Sequence, residues 1–235
     1  MNEINLPDWA KHLAVFDLET TGIDEREARI VTAYIGELNS GGEVMAGGKT
    51  WLANPGIEIP QQATDVHGIT TDYAAANGED AAKVTRELIE RLRQLMDAGL
   101  LVVAYNAAYD FTVLHYEALR HGIEPLVPTL VFDPLVVDKE KDTYRKGKRT
   151  LELTSAVYGV ALDDAHEASA DAIAAGRVGQ QVAAKFAKDL PADAKTLHEL
   201  QVPWKEAQNV SFAKFMRGSV DPNFVAVPGW PVKHY

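Results

Sequence analysis

Cysteine is absent from the 235-residue chain. Neither a disulfide framework nor a thiolate zinc site can therefore be built, and a reducing compartment is permitted. Long apolar runs are missing too, since nothing approaches the roughly 18 consecutive apolar residues of a membrane span. The first residues, MNEINLPDWAKHLAV, carry no charged-then-apolar signal pattern and read as a leader with a helical turn near Pro7 to Lys11. A cytoplasmic protein without membrane association is expected. Positive charge is scarce: 23 Lys and Arg stand against 34 Asp and Glu, a net charge of -11. That balance argues against non-specific coating of a long nucleic acid, which depends on basic contacts to phosphate. It is compatible with a site that gathers cations, because such a site is made of carboxylates.

The length suffices for a full hydrophobic core. Residues 1–188 read as one domain and 189–235 as a C-terminal extension packed on or beside it, where proline recurs at 191, 203, 222, 228 and 231. Strand candidates at 13–16, 30–38 and 44–52 follow one another closely, and the turn residues of 39–42 favour an antiparallel meander. Apolar spacing predicts a helix over 79–96, ended by Gly99. The run LLVVAYN (100–106) then reads as a strand buried on both faces. Helices over 111–120, 151–158 and 167–188 and a short strand at 129–133 complete an α/β pattern of a mixed sheet flanked by helices. In the extension a helix is predicted over 204–217, packed through Trp204, Phe212, Phe215 and Trp230.

The chemistry concentrates in three segments. In FDLETTG, Asp17 and Glu19 occupy alternate positions of a strand and leave the same face, about 7 Å apart. Two carboxylates so close repel each other, and they become favourable around a hard, oxygen-seeking cation such as Mg²⁺. In AYNAAYD, Asp110 falls at the start of a helix that follows a strand, where an N-cap role is the plain alternative. In HEASAD, His166 precedes Asp171 by five positions, about one and a half helical turns. The two share a site if His166 lies just before the helix and swings over it. Four carboxylates and an imidazole suit phosphoryl chemistry with two Mg²⁺ or Mn²⁺ ions about 4 Å apart, one activating water and one stabilising the leaving oxygen. The imidazole would take the proton of the water. An aspartyl-phosphate site with Asp17 as nucleophile leaves His166 and Asp171 without work. A non-catalytic nucleic-acid binding module gains nothing from so much negative charge beside phosphate.

FDLETTG, AYNAAYD and H-x4-D, in this order and separated by about 90 and 60 residues, resemble the three motifs of DnaQ-like 3′→5′ exonucleases of the DEDDh subgroup. The resemblance covers 13 to about 186, and VHGIT (66–70) matches a further segment of that family. It implies a ribonuclease H-like fold with a mixed five-stranded sheet, an antiparallel meander followed by parallel strands. It also implies Asp17, Glu19, Asp110 and Asp171 as ligands of two divalent ions and His166 as general base. Thr20, Thr21 and Gly22 would let backbone approach the terminal nucleotide, with His67 and Asn106 lining the pocket for its sugar or base. The substrate implied is a nucleic-acid 3′ end, single-stranded or frayed, most naturally of DNA, with RNA trimming as the alternative and a polymerase or replication protein as partner. Two departures from the usual family pattern, Tyr105 before the asparagine and Tyr109 before the aspartate, bear on substrate preference rather than on ligands.

Other features carry less. Asp133 and Asp138 read as turn or cap residues. The run 139–149 (KEKDTYRKGKR) holds six basic and two acidic residues. It is either a solvated loop or a phosphate-catching one with Tyr144 free to stack. QNVSFAKF in the extension can be stretched into a clamp-binding peptide, although Val210, Phe212, Phe215 and Met216 also fit the buried face of a helix.

Overall fold

β1 (Leu13–Thr20) is the strand from which the sheet grows in both directions. In the computed structural model, which describes residues 5–162 and 166–235, β1 pairs antiparallel with β2 (Ile30–Leu38), and β2 pairs antiparallel with β3 (Lys49–Asn54). On its other side β1 runs parallel to β5 (Val102–Val103), which runs parallel to β6 (Val131–Phe132). The meander and the parallel pair follow from the connections: loops without a helix, 21–29 and 39–48, join β1, β2 and β3, whereas helices intervene before β5 and β6.

The expected five strands are six among the described residues, in the order β4-β3-β2-β1-β5-β6. The addition, β4 (Glu79–Asp80), is two residues long and parallel to β3, too short to show a period in the sequence. β3 also starts later than predicted. Val44 makes only an isolated bridge to Leu38, and regular pairing begins at Lys49. The stretch around VHGIT forms two short helices, α1 (Gln61–His67) and α2 (Thr71–Asn77). The N-terminal turn is a 3-10 turn at Asp8–Ala10, and residues 1–4 of that leader lie outside the described residues.

The faces of β1 decide where the site forms. Leu13 and Val15 pack into one cluster with Ala168, Ala172, Ala175 and Val178 of α7 (Ala168–Lys185), while Ala14, Phe16 and Leu18 pack into the other with Phe111 of α4 (Ala108–Arg120). The Phe16 and Phe111 rings meet edge to face at 5.5 Å, a geometry that contributes about 0.5–1.5 kcal/mol beyond area burial. Small residues let α7 lie close on the sheet, and a Cβ at Gly176 would fall 2.4 Å from Val15 Cγ1 and 2.5 Å from Leu38 Cδ1. Asp17 and Glu19 continue the α7 face because side chains alternate along a strand.

The remaining helices are α3 (Ala81–Asp97), α5 (Pro134–Lys141), α6 (Leu151–Tyr158) and α8 (Ala194–Ser219). α8 is longer than the helix predicted over 204–217 and carries Pro203 within it. Trp230 is buried and Trp204 half-buried against the core, as expected. Phe212 and Phe215 are not: they are 52% and 60% exposed, and Val210 is exposed beside them. The apolar spacing at the end of α8 marks a face left largely open among the described residues, where Phe224 meets the Phe212 ring edge to face at 5.5 Å and Ala213 is buried.

Candidate active site

Asp17 and Glu19 are the two incompletely buried residues of β1. Asp171 comes down on them from the first turn of α7. His166 stands two residues before that helix in a left-handed conformation, φ 73°, one that a non-glycine residue adopts mainly where its surroundings impose it. The turn carries the imidazole back over the helix start: ligand atoms of Glu19, His166 and Asp171 lie within 4.8 Å of one another. Asp110 approaches from the first turn of α4, nearly inaccessible to solvent, and its Oδ1 accepts the Leu18 N–H at 3.2 Å. It does not act as an N-cap, since that position is Ala107. Its bond to β1 ties the second motif to the first.

The electrostatics of this cluster are adverse. Burial holds Asp17 well above the usual carboxylate range, and Asp110, Glu19 and Asp171 all push it further up. Burial and the neighbouring Asp171 raise Glu19 to about 8. Asp110 is likewise pushed up by burial, against the pull of backbone N–H groups including that of Leu18. Asp171 is raised by burial and opposed by His166. Asp171 Oδ1 is buried without a hydrogen-bond partner. Crowded acids with an orphaned oxygen fit hard divalent cations, which need several oxygen ligands.

Beside the cluster lies a pocket of about 370 Å³ lined by Glu19, Thr20, Thr21, Gly22, Ile23, Val66, His67 and Tyr109, among others. The threonine side chains are spent on the loop itself. Thr20 Oγ1 donates to Gly22 O at 2.9 Å, and Thr21 Oγ1 accepts the Arg29 N–H at 3.0 Å. His67 Nδ1 accepts the Ile69 N–H at 3.1 Å, while its Nε2 is buried near the Thr20 backbone without a well-aligned hydrogen bond. Burial holds this imidazole below its ordinary pKa, so at neutral pH it is uncharged with Nε2 as the donor. Asn106 does not line this pocket. It occupies the turn between β5 and α4 with φ 64°, its side chain exposed and its N–H donated to Asp133 Oδ1 at 3.0 Å. Tyr109, noted in the sequence only as a departure, has a structural use that a phenylalanine lacks: its hydroxyl donates to Gly22 O beside the Thr20 hydroxyl, tying α4 to the loop after β1.

The basic run is partly consumed by the fold. Arg145 and Arg149 both engage the fully buried Asp138, Arg149 at 2.5 Å. Tyr158 donates to the same carboxylate at 2.7 Å. Lys146, Lys148 and Tyr144 remain exposed. Asp133 caps α5, accepting the Leu135 N–H at 3.0 Å, as its sequence position suggested.

A mixed sheet flanked by helices with an acidic cluster at the end of its central strand defines a ribonuclease H-like nuclease scaffold. The exonuclease family RNase_T matches residues 14–179. The chain belongs to that family, and the DnaQ-like 3′→5′ exonuclease resemblance is borne out. The chain is 25% identical over 182 residues to the DNA polymerase III PolC-type of Lactococcus lactis subsp. lactis (strain IL1403) and 26% to that of Streptococcus sanguinis (strain SK36). These matches span 75% of this chain and about a tenth of each relative, 10% and 11%. E. coli exonuclease I in complex with a dT13 oligonucleotide has a similar fold, TM-score 0.62 at 18% identity, covering 76% of this chain and 42% of that one. Exonuclease I from Methylocaldum szegediense is similar at TM-score 0.59 and 21% identity, covering 73% and 40%. Among the described residues no helix is long and apolar enough to cross a membrane.

Proposed function

We propose that the protein is a DEDDh exonuclease that removes nucleoside 5′-monophosphates from the 3′ end of single-stranded or frayed DNA. The observation that carries this reading is the convergence of Glu19, His166 and Asp171 within 4.8 Å around an orphaned carboxylate oxygen. Asp17, Glu19, Asp110 and Asp171 would hold two Mg²⁺ or Mn²⁺ ions. When bound, the ions supply neutralisation of phosphate charge and acidification of the attacking water. His166 is assigned as base rather than ligand, because hard cations favour oxygen over imidazole nitrogen. Its imidazole takes the water proton as the new P–O bond forms and the bond to the 3′ oxygen of the penultimate nucleotide breaks. Thr20, Thr21 and Gly22 form the floor of the terminal nucleotide site, and the His67 Nε2–H faces a substrate oxygen. Asn106 would contact the strand outside the described pocket. Residues 1–188 are the exonuclease domain, with 189–235 an extension packed on it.

DNA is favoured over RNA by the PolC-type relatives, which are DNA polymerases, and for the same reason a polymerase or replication partner is proposed. A time course on 5′-labelled single-stranded DNA, mismatched duplex DNA and RNA tests the reading, with Mg²⁺ or Mn²⁺ and with chelator. A metal-dependent ladder shortening from the 3′ end of DNA is expected. Faster loss of RNA would move the substrate assignment to RNA trimming, and no shortening of either would overturn the proposal.

A further inference from the structure

β6 is the edge of the sheet, with β5 on one side only. A bare edge leaves backbone N–H and C=O groups unpaired. Here the side chains of α8 take the place of a seventh strand. His198 Nδ1 accepts the Val131 N–H at 3.0 Å, and Gln201 Nε2 donates to Val131 O at 2.9 Å. Gln201 Oε1 accepts the Asp133 N–H at 2.7 Å, and its second amide hydrogen goes to Leu197 O at 3.1 Å. Gln201 is fully buried and all of its donors are used. The Asp133 it grips does further work with its carboxylate. Oδ1 accepts the Asn106 N–H at 3.0 Å and Oδ2 the Ala107 N–H at 3.0 Å. These are the amides of the left-handed turn that starts α4, and Asp110 follows within the first turn of that helix.

We propose that Gln201 is a positioning residue for the catalytic centre: by fixing Asp133 it fixes the turn from β5 into α4, and with it the place of the Asp110 carboxylate. The proposal rests on the reading of Asp110 as a metal ligand. Gln201 lies beyond residues 14–179 that match the exonuclease family, so the extension supplies part of the support for a site it does not touch. Catalytic geometry is sensitive to displacements of about 1 Å, and the Asp133 carboxylate holds the backbone of the turn that starts α4, while Asp110 and Tyr109 tie the same turn to β1 and its following loop through their side chains.

Gln201→Leu removes the grip while keeping the volume. Gln208→Leu is its control, because it deletes another bond from α8, to Val136 O at 2.9 Å, without touching Asp133. Hydrogen exchange of the Asn106 and Ala107 amides, the half-saturating Mn²⁺ concentration for DNA cleavage and the Tm are measured on each. In Gln201→Leu the two amides exchange at least about tenfold faster and half-saturation rises roughly tenfold, the scale of lost outer support at metal sites. Gln208→Leu lowers the Tm and leaves the other two readouts in place. If Gln201→Leu does not fold, Gln201→Met, which removes the same acceptor for the Asp133 N–H with a more pliable side chain, shifts the same readouts in the same direction. Wild-type exchange at Asn106 and Ala107 in the folded variant, or an equal shift in Gln208→Leu, overturns the proposal. Should the wild-type protein need no divalent ion, the metal reading falls, and exchange at those amides still decides whether Gln201 holds the turn.

Discussion

Asp138 and the Asp17, Glu19 and Asp171 group are acids with opposite surroundings. Asp138 is wholly buried and meets Arg145, Arg149 and the Tyr158 hydroxyl. Asp17, Glu19 and Asp171 meet chiefly one another: burial raises all three, and neighbouring carboxylates push Asp17 and Glu19 further up, while His166 opposes the rise of Asp171. The chain satisfies the first acid from its own residues and leaves the second group short of positive charge. A buried carboxylate with its cations built in is a structural strut. One that lacks them is arranged for a cation from outside.

Substitution separates the two kinds. Asp171→Ala should reduce cleavage by at least roughly 10²–10³-fold while circular dichroism stays native, and in chelator its Tm should not fall, because a repelling charge has gone. Activity within tenfold of wild type would return Asp171 to the structural class. His166→Ala should slow cleavage by roughly 10²–10⁴-fold if it is the general base, with metal-supported DNA binding retained. Full activity in that variant would refute the assignment. Asp138→Asn is expected to behave in reverse. It leaves two guanidinium groups facing a neutral amide and should cost about 3 kcal/mol of stability, a fall in Tm of roughly 6–12 °C for a chain of this size, with activity of the remaining folded protein near wild type.

The pH dependence sharpens the contrast further. Glu19 titrates in the metal-free fold at about 8, above its ordinary 4.5. The folded state then binds a proton more tightly than the unfolded one between those values, so this group makes stability fall as pH rises through that window. Chelated protein should lose several degrees of Tm between pH 5 and 8, and Mn²⁺ should reverse the loss. A Tm that climbs with pH in chelator would contradict the assigned surroundings of Glu19. The smallest effect is expected in the basic loop, where Arg145 and Arg149 are engaged and Lys146 and Lys148 are exposed. Charge reversal at these two lysines should lower the salt slope of single-strand binding by about 1.4, near 0.7 per phosphate contact. An unchanged slope removes the loop from the binding surface.

The site was more legible in the sequence than its support. Asp17, Glu19, Asp110, His166 and Asp171 are set by local rules, alternation along a strand and placement at helix starts, and short motifs carry those rules. β1, β2 and the helix near 79–96 were readable for the same reason, through apolar periodicity. β4 was not, because two residues show no period. Phe212 and Phe215 misled, since helical spacing says which residues share a face and not whether anything covers it. The partners of Asp138 and the hold of Gln201 on Asp133 were invisible: the first reads as a free basic loop, and the second joins residues 68 positions apart through a glutamine that no motif marks.

Calorimetric titration of the chelator-stripped protein with Mn²⁺ at pH 7, in two buffers of different ionisation enthalpy, tests the central claim that the unpartnered acids await a cation. The account predicts binding whose heat depends on the buffer, because Glu19 must release its proton when the ion enters, and loss of that binding in Asp17→Asn with Asp171→Asn. Absence of binding, or binding that survives the double substitution, would contradict it.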